Sequence, residues 1–253
     1  MTIKIENDGY VNCKSNFYSA QDIISSDTVY LFDTGINKLI GEIDSGIWAI
    51  SYLLSMYDFI PQNFVLFKDA VLTVNNERIS LNEFCKYSCY LDESYPLFNT
   101  KKSVKRLIEE GLKKSKLTYS VQQIKDIFLL DEELFERPAH QVGNERFRAM
   151  SAIAFAHGKK VFCFPWLSQK RYNYYNNNIL KLLEILNQLE MIVITDRIFG
   201  SRLNWGLSLT RNSEFVMRNS ELLYKLDCIF VGANRVRPQA FPSGYSPVRG
   251  NVA

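Results

Sequence analysis

The stretch Gly41-Glu42-Ile43-Asp44-Ser45-Gly46-Ile47-Trp48 has the glycine spacing of a phosphate-binding loop but lacks its polar side chains. In the pattern G-x-x-x-x-G-K-[ST], a loop between a strand and a helix holds phosphates with backbone amides, the lysine and the hydroxyl. Ile47 takes the place of the lysine, and Trp48 takes that of the magnesium-binding hydroxyl. Asp44 would repel phosphate, although Asp44-Ser45-Gly46 could still form a small anion nest at a helix start. The stretch therefore predicts a strand–loop–helix unit without the usual charges of nucleotide binding.

Length and composition are those of an ordinary globular protein. The 253 residues are 47% hydrophobic and 23% charged, enough for one sizeable core or a core with a subdomain. A net charge of +3 is too balanced to predict nucleic-acid binding. No apolar run approaches the roughly 20 residues that span a bilayer, and residues 1–8 lack the apolar segment of a signal peptide. We therefore expect a cytoplasmic protein whose five scattered cysteines are reduced.

Hydrophobic patterns predict strands and helices in alternation. Short apolar runs predict strands at 28–32, 37–40, 64–67, 70–74, 85–91, 161–164, 191–194, 215–217 and 228–231. Asn75-Asn76 predicts a hairpin turn. A period of 3.6 residues predicts helices at 49–56, 104–112, 120–129, 145–156 and 178–189. Because the runs 161–164 and 191–194 are fully apolar, they are typical of buried parallel strands, and the whole order predicts an α/β fold.

The order of these pieces resembles the nucleotide-binding domain of ABC transporters, over residues 1 to about 230. That family runs from a phosphate loop through a glutamine loop, a helical subdomain, a signature motif and a Walker B strand to a switch histidine. Degenerate forms of these motifs follow one another here in the same order. They are Gly41, Asp44, Ser45, Gly46, Ile47 and Trp48 in the phosphate loop, Asp92 near the glutamine position, Val142, Gly143, Asn144 and Glu145 in the signature, Pro165 and Trp166 in Walker B, and Asp196 at the switch.

The resemblance implies a P-loop ABC-ATPase-like core sheet flanked by helices, with an N-terminal antiparallel β part and an inserted α-helical subdomain. Residues 1–100 and 157–233 would form the core, and residues 101–156 the helical subdomain. Residues 234–253, which hold prolines, glycines and arginines, would form an extended or disordered tail. The alternative is an unrelated α/β protein whose glycines fall at this spacing by chance.

The substituted positions remove the contacts that phosphoryl transfer requires. Catalysis in this class depends on positioning and on neutralising phosphate charge. A lysine–phosphate contact contributes about 1.5–3 kcal/mol, and Ile47 cannot make it. Trp48 and Pro165 offer no side-chain oxygen to magnesium, and Trp166 replaces the carboxylate that would polarise water. The departures therefore predict a chain with no catalytic residue, no metal and no cofactor.

The same substitutions predict an apolar plug in the former phosphate pocket. The resemblance places the phosphate loop and the Walker B end side by side, so we expect Trp48 and Trp166 to lie close together, with Pro165 beside them. Burial of apolar surface stabilises by about 25 cal/mol per Å², which favours such a plug.

Three functions are compatible with these residues. The first is a non-hydrolysing ABC-ATPase-like protein (a pseudo-ATPase) that acts as a partner-binding or structural subunit of an ABC transporter or export complex. Its partner would be a second copy, a competent ATPase subunit or a membrane permease, without nucleic acid and without a direct membrane span. The chain would then be cytoplasmic, or peripheral at the membrane through that partner. The second is an atypical but working subunit that binds ATP and magnesium, and the third is an enzyme or accessory binding protein with Glu145 or Asp196 as an acid or base.

Other clusters have structural explanations beside functional ones. Residues 171–178, rich in tyrosine and asparagine, predict either a turn with an asparagine cap or an interface, since the resemblance places them where the family touches the opposing subunit. Cys85 and Cys89 have a metal-like spacing without a second pair, which favours small core residues in a strand. His157 at a helix end would interact favourably with the helix dipole. The basic residues between 101 and 114 are typical of a solvated face.

Overall fold

The computed structural model describes residues 1–6, 9–14, 19–24, 29–39, 47–56, 65–67, 71–165, 167 and 169–195. Its strands are β1 (Ile3–Glu6), β2 (Gly9–Lys14), β3 (Ser19–Ile24), β4 (Val29–Phe32), β5 (Gly35–Lys38), β6 (Val65–Phe67), β7 (Val71–Val74), β8 (Glu77–Ile79), β9 (Ser88–Tyr90), β10 (Val161–Cys163) and β11 (Ile192–Thr195). Its α-helices are α1 (Ile47–Met56), α2 (Leu81–Phe84), α3 (Val104–Ser115), α4 (Val121–Ile127), α5 (Glu132–Phe135), α6 (Arg146–Ala156) and α7 (Gln169–Gln188).

A four-stranded parallel sheet in the order β5-β11-β10-β9 forms the centre of the fold. Every residue of β10 and β11 is buried, as their apolar sequences predict for strands covered on both faces. Side chains alternate between two cores: Phe162 and Val193 pack with the helices α3 to α7, whereas Val161 and Ile192 pack with α1 and the antiparallel strands. The predicted α/β class is confirmed.

Antiparallel strands form the N-terminal part, as predicted. Two sheets run in the orders β4-β1-β7-β8 and β3-β2-β6. The turn between β7 and β8 is Asn75-Asn76, with φ of 51° and 69°. Asparagine tolerates this left-handed region, which a tight hairpin requires, so the predicted hairpin is confirmed.

The helices α3 to α6 all lie within residues 101–156, and their starts follow local capping signals. Ser103 caps α3, and Ser120 forms a complete capping box with Gln123 at the start of α4. From Phe147 to Ala156 every residue of α6 is buried. A Cβ added to Gly111 of α3 would lie 2.5 Å from His157 Cδ2 and 2.8 Å from the carbonyl carbon of Ala156. Only glycine therefore allows α3 and the end of α6 to approach this closely.

Two predicted elements differ from the structure. The strand predicted at 85–91 is shorter in the structure, where β9 covers only Ser88–Tyr90. The Ser80 side chain accepts a hydrogen bond from Glu83 N and starts helix α2, and Cys85 is the residue that ends this helix. The turn predicted at 171–178 is wrong, since these residues form part of α7. Burial of Tyr175 against α6 supplies tertiary packing that outweighs the modest helix propensity of asparagine. The strands predicted at 215–217 and 228–231, and the tail at 234–253, lie outside the described residues.

Candidate functional site

The carboxyl ends of the four parallel strands meet at one edge of the sheet, here called the carboxyl edge. Backbone bonds extend the pairing past the strand ends: Leu39 N to Thr195 O at 2.8 Å, Phe164 N to Ile194 O at 2.9 Å, and Leu91 N to Cys163 O at 2.9 Å. Ligands of open α/β sheets bind outside this edge. The fold therefore brings Asp92, after β9, and Pro165, after β10, to the place where a ligand of this fold would bind.

The remaining predicted positions are described only in part. Gly41, Asp44, Ser45, Gly46, Trp166 and Asp196 lie outside the described residues. Ile47 and Trp48 are the first residues of α1, which begins two residues earlier than predicted, and their side chains lie outside the description. The predicted contact between Trp48 and Trp166 therefore stays a prediction.

The strand order gives the positions of the two strands that lead to these residues. β11 lies between β5, which leads to the glycine stretch, and β10, which leads to Pro165. The two strands are thus not neighbours, and two inter-strand spacings set their ends about 10 Å apart.

The end of β10 is apolar and closely packed. Phe164 is 3% exposed and stacks on Phe147 of α6, with ring centroids 5.9 Å apart. Phe147 in turn meets Tyr175 of α7 edge to face at 5.2 Å. Pro165 is also buried. Neither of the two residues that follow β10 offers a side-chain oxygen to a cation.

The Asp92 carboxylate is used within its own turn. Its Oδ1 accepts bonds from Ser94 N at 2.9 Å and from Ser94 Oγ at 2.7 Å. This is the local geometry by which aspartate stabilises a turn. The carboxylate therefore holds the segment after β9 in shape, and it is half-buried.

The turn before α6 consists of a buried valine, an open glycine and a hydrogen-bonded asparagine carbonyl. Val142 is 2% exposed and packs with Val104, Leu130 and Ala149 of the helical part. Gly143 has a φ of 55°, and no atom lies within 4 Å of a Cβ added there. The Asn144 carbonyl accepts a bond from Asn178 Nδ2 of α7 at 3.1 Å. A polar contact thus fixes this turn to the sheet-flanking helix.

Glu145, proposed above as a signature residue or as an acid or base, is engaged by a buried arginine. The Arg148 side chain is 7% exposed, and its guanidinium donates to Glu145 Oε1 and to the Leu129 carbonyl at 2.9 Å. Glu145 Oε2 accepts a long bond of 3.5 Å from Asp131 N. Pairing offsets the large desolvation penalty of a buried charge. The carboxylate therefore has a structural partner at each oxygen.

A cluster around Arg146 joins three segments that are distant in sequence. Its guanidinium donates to Glu93 Oε1 and to the Tyr175 hydroxyl, and it lies 4.6 Å from the Tyr175 ring centroid. The cluster ties the turn after β9 to the first residue of α6 and to α7. Glu93 and Arg146 were not among the residues predicted from sequence. The only signal was their proximity to the predicted motifs, at Asp92 and Glu145.

Two buried cysteines and the half-buried His157 have altered proton affinity. Burial raises the pKa of the Cys89 thiol to about 12, and burial beside Cys89 also raises that of Cys163. Such thiols are unreactive core groups. Burial lowers the pKa of His157, whose Nε2 lies 3.1 Å from the Leu107 carbonyl. The predicted favourable dipole interaction of a charged His157 is thus outweighed by desolvation. Among described residues, no three His, Cys, Asp or Glu side chains form a metal-binding group.

Comparisons with known proteins identify the fold. No family model and no curated protein matches the chain. Among solved structures it is similar to an ABC transporter ATP-binding protein from Pyrococcus furiosus, with a TM-score of 0.52 and 11% identity over 80% of this chain and 94% of that one. The chain has the fold of an ABC transporter ATP-binding domain. It is also similar to the ATP-binding cassette MJ0796, which was solved as a dimer in a post-hydrolysis state bound to ADP and Pi. The TM-score is 0.50, with 12% identity over 78% of this chain and 88% of that one.

The ABC-like fold gives the described motif positions a common frame. Asp92 and Pro165 lie at the carboxyl edge, where ligands of open α/β sheets bind, and Val142, Gly143, Asn144 and Glu145 form the turn into α6. In the part of the chain that the structure describes, no helix is long and apolar enough to cross a membrane.

Proposed function

We propose that this chain is a non-hydrolysing, ABC-ATPase-like subunit that binds a protein partner. The observation that carries the proposal is the end of β10, where buried Phe164 and Pro165 follow the strand directly. Metal-assisted phosphoryl transfer needs oxygen ligands for the cation and a group that orients water. This edge offers two apolar side chains in that position.

The surrounding polar groups support the same conclusion because each has an internal partner. The Asp92 carboxylate accepts two bonds from Ser94, and the Glu145 carboxylate pairs with Arg148. A general base or metal ligand must reach substrate or cation with its oxygens. Recruiting Glu145 would break contacts at both of its oxygens, and Oδ1 of Asp92 is already bonded twice within its own turn.

The exposed surface of α7 supports a protein partner. Tyr174 is 63% exposed, and Arg171, Asn173 and Asn177 are exposed on the same first half of the helix. Tyrosine and arginine are enriched in protein interfaces, where an aromatic body is buried and a polar end stays wet. Since MJ0796 was solved as a dimer, a second copy or a competent ATPase subunit is the partner we propose for this surface.

The nucleotide part of the proposal is tested by titrating the full chain with Mg-ATP in a calorimeter and by measuring phosphate release. We expect no saturable heat and no turnover above a buffer blank. Saturable binding, with turnover abolished by Asp44→Ala or Asp196→Ala, would instead establish a working ATP-binding subunit with atypical ligands.

The partner part is tested separately by co-purifying the tagged chain from its native source and by measuring its mass in solution. Tyr174→Ala should weaken the recovered complex or the dimer. Leu31→Ala is the matched control, because Leu31 is 45% exposed and lies on β4 in the antiparallel part of the fold. Equal loss in both variants would contradict the assignment of the α7 surface.

A further inference from the structure

Three segments meet at the end of the sheet opposite the carboxyl edge, here called the amino edge. They are residues 85–87 before β9, residues 113–117 at the end of α3, and residues 157–160 before β10. Lys159 Nζ donates to the Cys85 and Lys86 carbonyls, both at 2.9 Å, and Lys160 N donates to the Tyr87 carbonyl at 2.8 Å. A Cβ on Gly158 would lie 3.3 Å from Ser115 Cβ. The three segments therefore form one continuous surface.

This surface is strongly basic. It carries six lysines, which together we name the lysine face: Lys86, Lys113, Lys114, Lys116, Lys159 and Lys160. All except half-buried Lys159 are exposed, and none of these five forms an ion pair with a residue that the structure describes. Glu110, one turn earlier in α3, is taken by Lys102 and Arg106. Glu83 and Glu190 are the exposed carboxylates nearest in the chain to this edge, so positive charge is in excess.

Helix ends account for only part of this charge. α3 and α6 both end at this surface, and each helix carboxyl end carries roughly half a negative charge. Lys113 and Lys114 lie in the last turn of α3 and offset its dipole. Lys86, Lys116 and Lys160 lie outside the helices. Burial lowers the pKa of His157 beside this surface, and the nearby charges of Lys114 and Lys159 lower it further, against an opposing effect of Glu110.

We propose that the lysine face binds the surface of an anionic phospholipid membrane. The residues that form it provide lysines without arginine, that is, point charges rather than the planar forks suited to nucleic-acid phosphates and bases. Tyr87 lies between Lys86 and the turn of Lys160 and is 44% exposed. Tyrosine favours the headgroup region of a bilayer, where its ring is partly buried and its hydroxyl stays in water. The inference does not depend on the absence of ATP turnover.

The test is flotation of the full chain with two vesicle types, one of phosphatidylcholine alone and one of phosphatidylcholine mixed with phosphatidylserine. The test variant is Lys113→Gln/Lys114→Gln/Lys116→Gln. The matched control, Lys101→Gln/Lys102→Gln/Lys105→Gln, removes the same charge from the other end of α3. We expect binding only to the phosphatidylserine vesicles, reduced by high salt. Since each lysine near such a surface strengthens binding about fivefold, the test variant should bind at least tenfold more weakly and the control nearly normally.

Thermal melts establish that each variant is folded. If the test variant is not, Lys86→Gln/Lys160→Gln probes the same face from different elements. Equal binding to both vesicle types overturns the proposal, as does an equal loss in test and control variants. A single-stranded RNA bound more tightly than the vesicles, and weakened by the same substitutions, would also overturn it by assigning the face to nucleic acid.

Discussion

The two ends of the parallel sheet differ in whether their charged side chains have partners within the described part of the chain. At the carboxyl edge, Arg146 is bound by Glu93 and Tyr175, and the Asp92 carboxylate is bound by Ser94. At the amino edge, lysines face solvent beside Gly111 and His157, which are closely packed. The contrast teaches that the described polar groups of Arg146 and Asp92 at the carboxyl edge serve internal structure. The edge without a recognisable motif has its charges available to a partner.

If close packing holds the amino edge, Gly111→Ala should have the largest effect on stability. The new methyl group would approach the backbone of Ala156 and His157, which cannot move without separating α3 from α6. We expect a loss of about 3 kcal/mol in the free energy of unfolding, despite the helix propensity of alanine. Urea unfolding measures it. Gly143→Ala is the control, since that site is open and only its positive φ opposes a side chain. A smaller loss at Gly111 than at Gly143 would contradict the packing explanation.

Breaking the buried pair of Glu145 and Arg148 near the carboxyl edge should have the second-largest effect on the free energy of unfolding. Glu145→Ala leaves the Arg148 charge buried without its carboxylate. We expect a loss of about 2 kcal/mol, below the range for fully buried pairs because Glu145 is one-fifth exposed. Arg148→Met/Glu145→Ala should be less destabilising than the sum of the two single changes. Additive losses by urea unfolding would show that the pair is not coupled.

The Arg146 cluster is more exposed and should contribute less. Arg146→Met removes the pair with Glu93, whose side chain is 48% exposed, and the bond to Tyr175. We expect a loss of about 1 kcal/mol, which shrinks at high salt. Hydrogen exchange should quicken at residues 92–98 and in the first turn of α7. Lys105→Met, which breaks an exposed pair with Glu136, is the control. No change in exchange at 92–98 would refute the role of Arg146 in linking these segments.

The smallest expected effect is a dependence of the free energy of unfolding on pH, caused by His157. Burial lowers its pKa in the folded chain below the ordinary 6.5. The contribution of neutral His157 to the free energy of unfolding is therefore complete above pH 6.5. It falls as the pH drops below 6.5, because the unfolded chain binds the proton first. His157→Gln keeps a donor for the Leu107 carbonyl and should reduce this slope in unfolding experiments between pH 5 and 7. An unchanged slope would assign the dependence to other groups.

Local patterns predicted most elements, whereas long-range contacts were not predictable. The apolar runs at 161–164 and 191–194 are buried strands, and Asn75-Asn76 is a hairpin turn, because their own residues specify these states. The start of α7 depends on packing of Tyr175 against Phe147, which no local pattern encodes. The place of β11 between β5 and β10 depends on chain crossovers. The Arg146 cluster joins Glu93 and Tyr175, 53 and 29 residues away, so the motif positions alone did not reveal it.

Helix α6 begins at the Arg146 cluster and ends at His157, beside the lysine face. Its eleven residues extend about 16 Å, and all but the first are enclosed by other parts of the molecule. An enclosed rod of this kind has no free side toward which it can bend. The helix therefore spans from one edge of the sheet to the other as a single packed element, so a substitution that shifts one end of α6 should disturb packing at the other.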